Sequence, residues 1–523
     1  MTKMKTYEGT IISCDKDNHV YQYLVEDKGR IIFVGNDLSA EYKGSPIEVL
    51  GERSLLPSFA DTHLHFASYA LFNAGLDVRS ARNLPQMCEQ VKEFASANND
   101  KIIMGFGASI NSVEEKRLIS KDELDQACPD RAVFIVKYDG HACILSSRMI
   151  EMLPGKVKTL RGYHEDTGEM KQEAFFATTD FITKKVSIPR TIRNMLRAVD
   201  DLADKGIGMI HTASGVGFPM DLDVTMETIF GKGLNTGFQS RVFFQTMNID
   251  KVKKRKLPRI GGCFAASLDG CFGSEDAALR EPYANNPNNR GILFYSDEEV
   301  IRFTKAANRE GLQLEMHAIG DTAFDQAVMA IEAALKDCPR NDHRHGIIHA
   351  CLPTDEGMKK CADLGIQIPL QPAFLKWDLE PYEFLKSILG DRADKISPLR
   401  KMTDMGIVLS GGSDAPCTLP DPIFSIYAAC NHYIPEQSIT IQEALKMFTY
   451  NAAWTTFDEK DRGSLEKGKI ADMVILNRNP LAMKPDEILN LKVEKLLLNG
   501  TAYKKGQGML SLLAKGILSE GKI

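Results

Sequence analysis

Two histidines one residue apart, His63 and His65, are the residues whose type and spacing point most directly to chemistry. They follow an apolar run at residues 55–57, which predicts a buried strand. Because side chains alternate between the two faces of a strand, both imidazoles point to the same side. Two imidazoles at a strand end can bind one metal ion. The alternative is a pair of ordinary polar residues, so further ligands elsewhere in the chain would favour the metal site.

Further ligand-type residues follow other predicted strands. His317 ends the run 312–316, His349 ends the run 346–348, and Asp414 follows the run 407–413. If these strands belong to one parallel barrel, their carboxyl ends lie on the same rim. Neutral imidazoles with a carboxylate suit Zn²⁺, although Fe²⁺ or Mn²⁺ accepts the same ligands. We expect a metal-activated hydroxide at this rim, with Asp414 passing a proton from the water to a leaving amine.

The middle of the chain, residues 57–456, alternates strand-like and helix-like patterns. The apolar runs at 102–106 and 132–136 have the composition of buried parallel strands. Ser296-Asp297-Glu298-Glu299 is a capping box that predicts the start of a helix. About eight such units predict an α/β fold, a (β/α)₈ TIM barrel. Residues from about 154 to 190, rich in Lys, Glu and Gly, do not alternate and predict an insertion over one barrel end.

Both ends of the chain have the composition of short β-strands. β-branched and aromatic residues recur at 9–12, 21–25 and 29–35, and again at 469–476 and 495–503. The pair Asn499-Gly500 is a strong signal for a two-residue hairpin turn. We therefore expect residues 1–56 and 457–523 to form one small β-sandwich domain, which the barrel divides in sequence.

Composition limits the classes of partner. The 523 residues are 43% hydrophobic, enough for a large core, and a net charge of −6 provides no basic surface for nucleic acid or membranes. The first residues lack the apolar run of a secretion signal, and eleven cysteines without CxxC pairs indicate reduced thiols. We expect a cytoplasmic protein with a small-molecule substrate. The oligomeric state stays open, with a homodimer the commonest assembly of soluble enzymes.

Several motifs, taken together, are similar to those of a known family. Residues 56–65 resemble the first metal-binding motif of the amidohydrolase superfamily, and residues 317–321, 348–350 and 412–416 resemble the later ones. Asp139-Gly140-His141 and Leu268-Asp269-Gly270 narrow the resemblance to the YtcJ-like branch, which includes N-substituted formamide deformylases. This resemblance implies a distorted metal-bearing barrel beside a split β-sandwich, and hydrolysis of C–N bonds in amide-like substrates.

The resemblance also implies roles for single residues. It makes Asp414 both a metal ligand and the proton shuttle, and His141 a group that polarises a carbonyl or stabilises an oxyanion. A strand-end histidine bonded to backbone is the alternative for His141. His211 matches a histidine of the branch and is expected to orient a ligand or the substrate. The remaining implied metal ligands are His63, His65, His317 and His349.

Two more residues lie near predicted strand ends. Gln371 and Arg400 are expected to line the substrate pocket, although an arginine in a helix is more often solvated.

One departure from the family pattern concerns the metal bridge. Many members carry a lysine, carboxylated to bridge two metals, four residues before the aspartate of Leu-Asp-Gly. This chain has Ala265 there, and a methyl group binds no metal. The site therefore holds one ion, or another residue bridges two. Glu173, which matches a glutamate of the branch, is the first candidate for a metal ligand there, followed by Cys263 and Lys137.

Three functions fit these residues. The leading hypothesis is a metal-dependent amidohydrolase acting on an amide, an N-substituted formamide or a cyclic amide. The same ligands would serve a deaminase acting on a heterocycle. The third hypothesis, a catalytically silent barrel that binds a ligand, is motivated by the missing lysine. Against it, a silent barrel has no physical need for the four histidines and Asp414.

Overall fold

The computed structural model describes residues 4–234 and 236–518. Its strands, in chain order, are β1 (Lys5–Ile12), β2 (Val20–Asp27), β3 (Arg30–Gly35), β4 (Ile47–Pro57), β5 (Phe59–Leu64), β6 (Leu76–Asp77), β7 (Ile102–Ala108), β8 (Ala132–Lys137), β9 (Ala142–Leu145), β10 (Glu169–Lys171), β11 (Ile207–Ser214), β12 (Gln239–Phe244), β13 (Arg259–Ser267), β14 (Gln313–Ala318), β15 (Gly346–His349), β16 (Ile368–Leu370), β17 (Leu409–Gly411), β18 (Met473–Leu476), β19 (Val493–Leu498) and β20 (Thr501–Ala502).

The α-helices are α1 (Phe66–Asn73), α2 (Leu84–Ala97), α3 (Lys121–Ala127), α4 (Ser147–Met152), α5 (Gln172–Thr183), α6 (Ile188–Asp204), α7 (Leu222–Gly233), α8 (Ile249–Lys254), α9 (Asp297–Arg309), α10 (Asp321–Asp337), α11 (Asp355–Leu364), α12 (Tyr382–Leu389), α13 (Leu399–Asp404), α14 (Pro422–Cys430), α15 (Ile441–Met447), α16 (Tyr450–Thr455) and α17 (Met509–Leu518). Within the described ranges, no helix combines the length and the apolar character that a membrane span requires.

Eight of the described strands form an α/β barrel. β5 and β11 to β15 pair in that order, and each pair is parallel. β16 is parallel to β17, and a bridge between Gly346 and Gln367 joins β15 to the chain that enters β16. On the other side, the N–H of Asp414 donates to the carbonyl oxygen of His63 at 2.7 Å. This hydrogen bond connects the chain after β17 to β5, so the first and last barrel strands meet.

Apolar helix faces cover this barrel, as the sequence predicts. The helix α6 buries Met195, Val199 and Leu202 on one face. The helix α9 begins at the predicted capping box, in which Ser296 and Glu299 bond each other's backbone N–H groups. All six residues of β5 and of β14 are buried, because helices lie outside the barrel and side chains fill its interior.

Two predicted barrel strands belong to another sheet. The apolar runs at 102–106 and 132–136 form β7 and β8, which are parallel to each other as expected. They lie in a separate five-stranded sheet of order β10-β9-β8-β7-β6. A buried parallel strand has the same apolar composition in any sheet, so the pattern identifies the strand but not its sheet. The insertion between β5 and β11 is thus longer than the predicted 154–190, which supplies only its β10 and α5 part.

Strands from both chain ends form one seven-stranded sheet of order β20-β19-β18-β4-β1-β2-β3. The late strand β18 pairs antiparallel with the early strand β4. The predicted turn at Asn499 and Gly500 joins β19 to β20, and both residues have the positive φ that a type I′ turn requires. The two ends of the chain therefore pair in one sheet, as expected. The sandwich arrangement and the domain boundaries stay predictions.

Candidate metal centre

The two predicted histidines of the first barrel strand face one carboxylate. His63 lies in β5 and His65 directly after it, and both are buried. Asp414 follows β17, and its Oδ1 lies 3.3 Å from His63 Nε2 and 3.2 Å from His65 Nε2. The same-side arrangement expected from the two-residue spacing is thus present in the structure.

Two neighbouring strands bring the other histidines to the same place. His317 lies in β14 and His349 ends β15, and their ring centroids are 4.7 Å apart. The ring of His349 lies 5.4 Å from that of His63. The structure therefore brings all four predicted imidazoles and Asp414 together on one barrel rim.

A cysteine thiol lies among these imidazoles. Cys263 Sγ is 2.9 Å from His63 Nε2 and 3.2 Å from His349 Nε2. The thiol belongs to two sets of candidate ligands, and within each set the donor atoms lie within 4.8 Å of one another. Set A consists of His63, His65, Cys263 and Asp414. Set B consists of Cys263, His317 and His349.

The backbone before Cys263 explains why sequence counting favoured a different position. Along β13, Gly262 pairs with Met316 but Ser267 pairs with the next residue of β14, so residues 263–266 form a bulge. Gly261 and Gly262 have φ values of +107° and +135°, and a Cβ at Gly261 would lie 1.9 Å from the carbonyl oxygen of Glu315. The spacing of the family motif places the lysine four residues before the aspartate, at residue 265. The bulge makes Cys263, and not Ala265, the residue that meets the histidines.

Hydrogen bonds fix the orientation of two imidazoles. Gln371 Oε1 lies 2.5 Å from His349 Nδ1, and the carbonyl oxygen of Gly270 lies 3.0 Å from His317 Nε2. Because carbonyl oxygens only accept, these two nitrogens carry the hydrogens, and His349 Nε2 and His317 Nδ1 keep their lone pairs. His317 Nδ1 is buried and has no hydrogen-bond partner among the described residues. A lone pair of this kind suits a metal ligand.

The charges of the cluster also fit a cation. Burial lowers the pKa of His63, and burial together with His317 holds the pKa of His349 well below its usual value. Burial opposes ionisation of Asp414, but its bonds to His63 and His65 hold its pKa well below the ordinary range. Burial raises the pKa of the Cys263 thiol well above its usual value, and a divalent cation displaces that proton when it binds. Neutral imidazoles, an ionised carboxylate and a thiolate are the donors that zinc prefers. The residues present therefore fit a divalent metal ion.

A small cavity of about 60 Å³ opens directly over the cluster. His141 lines this cavity, as predicted, and its ring lies 5.8 Å from that of Phe264. Asp139 and Glu380 line the same wall. Burial raises the pKa of Glu380 to about 7, whereas the neighbouring Lys137 and His141 outweigh burial and lower the pKa of Asp139 to about 2.

A second chamber of about 60 Å³ adjoins the first one, and the two share His65, Phe264 and Cys417. Its walls are aromatic and include Phe72, Phe106, Phe175 and Phe176. We call it the phenylalanine chamber.

A groove of about 760 Å³ shares Trp377 and Cys417 with the cavity over the cluster. The groove also carries charged residues, among them Arg79 and Lys376.

The sequence suggests three candidates for the bridging ligand, and the structure places only one of them in the cluster. Glu173 is exposed in the first turn of α5 and belongs to neither set of ligands, so the structure does not support it as a ligand. Lys137 Nζ lies 2.7 Å from Asp139 Oδ2, which makes it an ion-pair partner of that carboxylate. Cys263, ranked behind Glu173 from the sequence, is the candidate that the structure places among the histidines.

Apart from His141, the predicted substrate-binding residues have other contacts. Gln371 orients His349 and is absent from the residues that line the cavity. Arg400 donates to both carboxylate oxygens of Glu443, at 2.8 and 2.9 Å, because its place on α13 directs it to that helix cap. His211 is buried in β11 with its Nε2 3.2 Å from Thr456 Oγ1. The structure brings neither Arg400 nor His211 to the cavity over the cluster.

Comparison with known proteins agrees with this geometry. The sequence profile of the Amidohydrolase family matches residues 50–502. YtcJ of Bacillus subtilis (strain 168) is 27% identical over 484 residues, which cover 86% of this chain and 89% of YtcJ. N-substituted formamide deformylase of Arthrobacter pascens is 22% identical over 557 residues, covering 96% of this chain and 98% of that enzyme.

A solved structure shares the fold. The crystal structure of a metal-dependent hydrolase from Pyrococcus furiosus superimposes with a TM-score of 0.73 at 27% identity, covering 92% of this chain and 100% of the other. The family profile spans most of the chain, including every residue of sets A and B. This protein therefore belongs to the amidohydrolase family.

Proposed function

We propose that this protein is a metal-dependent hydrolase that cleaves the C–N bond of N-substituted formamides. The observation that carries the proposal is the convergence of four histidines, Cys263 and Asp414 under one small cavity. The similarity to N-substituted formamide deformylase over nearly the whole length of both chains supports the substrate class.

The ligand residues would hold a divalent cation, Zn²⁺ by donor type, through the nitrogen, sulfur and oxygen atoms of sets A and B. When bound, such a cation polarises a carbonyl group and lowers the pKa of water from about 15.7 toward about 7. Asp414 also lines the cavity, where its carboxylate can exchange protons with a bound molecule.

Asp414 is positioned for the proton transfer that amide hydrolysis needs. Its Oδ1 lies 3.3 Å from His63 Nε2 and 3.2 Å from His65 Nε2. In the proposed reaction the carboxylate takes a proton from the attacking water as the new C–O bond forms, and gives it to the nitrogen as the C–N bond breaks. The direct products are formic acid and the amine, and proton transfer between them in water gives formate and an ammonium ion, so atoms and charges balance without a further reactant. His141, on the cavity wall, donates a hydrogen bond to the carbonyl oxygen as negative charge develops there.

The shape of the site supports a small acyl group with a larger apolar substituent. A cavity of about 60 Å³ accommodates only about four water-sized groups, which suits a formyl group. The phenylalanine chamber adjoins it and suits an aryl or alkyl substituent on the nitrogen. The groove that shares Trp377 and Cys417 with the cavity is the proposed entrance.

A substrate panel tests this function. The protein, stripped of metal and then reloaded with Zn²⁺ or Mn²⁺, is incubated with N-aryl- and N-alkylformamides, cyclic amides and amino-heterocycles, and formate, carboxylate and ammonia are measured. We expect formate and amine from the substituted formamides. Full turnover by the metal-free protein or by Asp414→Asn would refute the proposal. Ammonia release from an amino-heterocycle without formamide cleavage would instead establish a deaminase.

A further inference from the structure

The structure places one sulfur atom between two groups of metal-binding side chains. Among the described residues, Cys263 is the donor that sets A and B have in common. Its Sγ lies near His63 of set A and near His349 of set B, at 2.9 and 3.2 Å. We propose that the Cys263 thiolate bridges two divalent cations, in the position that a carboxylated lysine occupies in many amidohydrolases. This inference rests on the metal-dependent function proposed above.

The charges of the two sets show why binding of a second cation would depend on the thiolate. Set A contains a second anionic ligand, Asp414, whereas the other members of set B are the imidazoles of His317 and His349, which bind a metal as neutral groups. Without Cys263, set B would offer two neutral nitrogens and no anion to a divalent cation. The thiolate therefore decides whether the second ion binds. Its formation requires only the release of one proton to solvent, with no oxidant or reductant.

The other candidates for a bridge are excluded by their positions. Glu173 is exposed on α5, away from both sets. The ammonium group of Lys137 is paired with Asp139 and also lies 3.3 Å from the carbonyl oxygen of Gly273. Ala265 has no donor atom in its side chain. Cys263 is the remaining candidate, and it is buried among the imidazoles.

The local backbone matches a short bridging side chain. A cysteine sulfur is one bond from Cβ, so the backbone must approach the histidines more closely than it would for a lysine. The bulge at residues 263–266 and the two preceding glycines produce this approach. At Gly262, an added Cβ would lie 2.5 Å from Cγ of Gln245, so a side chain there would collide with the side chain of Gln245. The two glycines thus allow the backbone conformation that brings the Cys263 side chain to the histidines.

Metal content and cobalt spectroscopy test the bridge. Wild type, Cys263→Ser, Cys263→Ala and the control Cys417→Ala are stripped of metal and loaded with Co²⁺. Cys417 lines the same cavity but belongs to neither ligand set, so the control separates a bridging thiol from a nearby one. We expect two ions per chain and a near-ultraviolet thiolate-to-cobalt absorption band in wild type and Cys417→Ala. The Cys263 variants should bind one ion and lose the band.

Other outcomes distinguish a failure of the Cys263 bridge from a failure of the proposed metal-dependent function. Two ions and an intact band in Cys263→Ala would overturn the bridge, as would two ions without a thiolate band in wild type. A single ion with a band in wild type would make Cys263 a terminal ligand and also overturn it. A wild-type protein that binds no divalent cation would refute the metal-dependent function. With Zn²⁺, X-ray absorption should show a sulfur neighbour at about 2.3 Å in wild type and in Cys417→Ala, but not in the two Cys263 variants.

A bicarbonate experiment gives an independent readout. A carboxylated lysine requires carbon dioxide, whereas a thiolate bridge does not. Reconstitution in buffer depleted of carbon dioxide and in buffer with added bicarbonate should give the same two ions per chain. A second ion that binds only with bicarbonate would identify a lysine bridge and overturn the role of Cys263.

Discussion

His63 and Asp414 are joined both through the backbone and through their side chains. The N–H of Asp414 donates to the carbonyl oxygen of His63 at 2.7 Å, and Asp414 Oδ1 lies 3.3 Å from His63 Nε2. The N–H of Ser413 also donates to Asp61 Oδ1 at 3.0 Å. The contacts that join the first and last barrel strands therefore also fix the distance between a proposed metal ligand and the proposed proton shuttle.

Asp414→Asn removes the proton shuttle but preserves the size of the side chain. We expect kcat on a substituted formamide to fall by about 10²- to 10⁴-fold, the usual contribution of general acid–base catalysis. Asp404→Asn, on the exposed end of α13, is the matched control and should retain its rate. Circular dichroism and thermal melting check that both variants fold. An unchanged kcat in Asp414→Asn would contradict the mechanism.

Gln371→Leu removes the acceptor that orients His349. Loss of such a partner weakens metal binding by about 10- to 100-fold, because the imidazole loses its fixed tautomer and direction. Gln371→Glu keeps an acceptor oxygen and is expected to retain most of the affinity. Competition with a chromogenic chelator measures both. Equal losses in the two variants would show that Gln371 acts in another way.

Phe176→Ala enlarges the phenylalanine chamber. Partial loss of an aromatic contact is worth about 1–2 kcal/mol, so kcat/KM for an N-arylformamide is expected to fall by about tenfold. Unsubstituted formamide does not reach this chamber, and its kcat/KM should be unaffected. An equal fall for both compounds would place the substituent elsewhere.

Glu227 makes stability depend on pH. Burial and the neighbouring Asp223 raise its pKa to about 8 from 4.5, although Ser214, Thr212 and the N–H of Ala67 bond to it. Between these two values the folded state binds more protons than the unfolded state, so the free energy of unfolding falls as pH rises, by up to about 1.4 kcal/mol per unit. Other buried groups titrate over the same range, among them Glu315 with a pKa raised by burial to about 8, so the contribution of Glu227 is the difference between two variants. In urea unfolding from pH 5 to 8, the slope of the free energy of unfolding against pH should be more positive in Glu227→Gln than in wild type. Equal slopes would assign the dependence to other groups.

Glu173→Gln tests the ligand first favoured by the sequence. Because this carboxylate is exposed and outside both sets, the variant is expected to bind as many metal ions as wild type, with the same affinity. Isothermal titration with Zn²⁺ measures both quantities. Loss of one ion would restore Glu173 as a ligand, through a movement of α5 toward the rim.

The sequence predicts the metal-binding side chains of the cluster and the features that depend on neighbouring residues. The two-residue spacing of His63 and His65 fixes their common direction, and strand ends place His317, His349 and Asp414 on one rim. Capping boxes and the Asn499-Gly500 turn depend on neighbours in the chain, and the structure has them where the pattern indicates.

Features that depend on distant parts of the chain were not predicted. The strands β7 and β8 have the composition of barrel strands, but their partners are in the inserted sheet. The bulge after Gly262 changes which residue of β13 faces the histidines, so counting from Asp269 pointed to Ala265. The signal that could have located it is the glycine pair directly before a cysteine, because adjacent glycines in a strand often mark a bulge. Arg400 pairs with Glu443, which is 43 residues away in sequence, so no local pattern indicates this contact.

The closure of the barrel has a consequence for biosynthesis. Ser413 and Asp61, which meet where the ring closes, are 352 positions apart, and the whole inserted sheet is translated before the second barrel strand. Nascent chains on the ribosome therefore carry His63 and His65 long before the rest of the rim exists. Metal capture should accordingly be a late event, which follows release of nearly the entire polypeptide and completes its maturation.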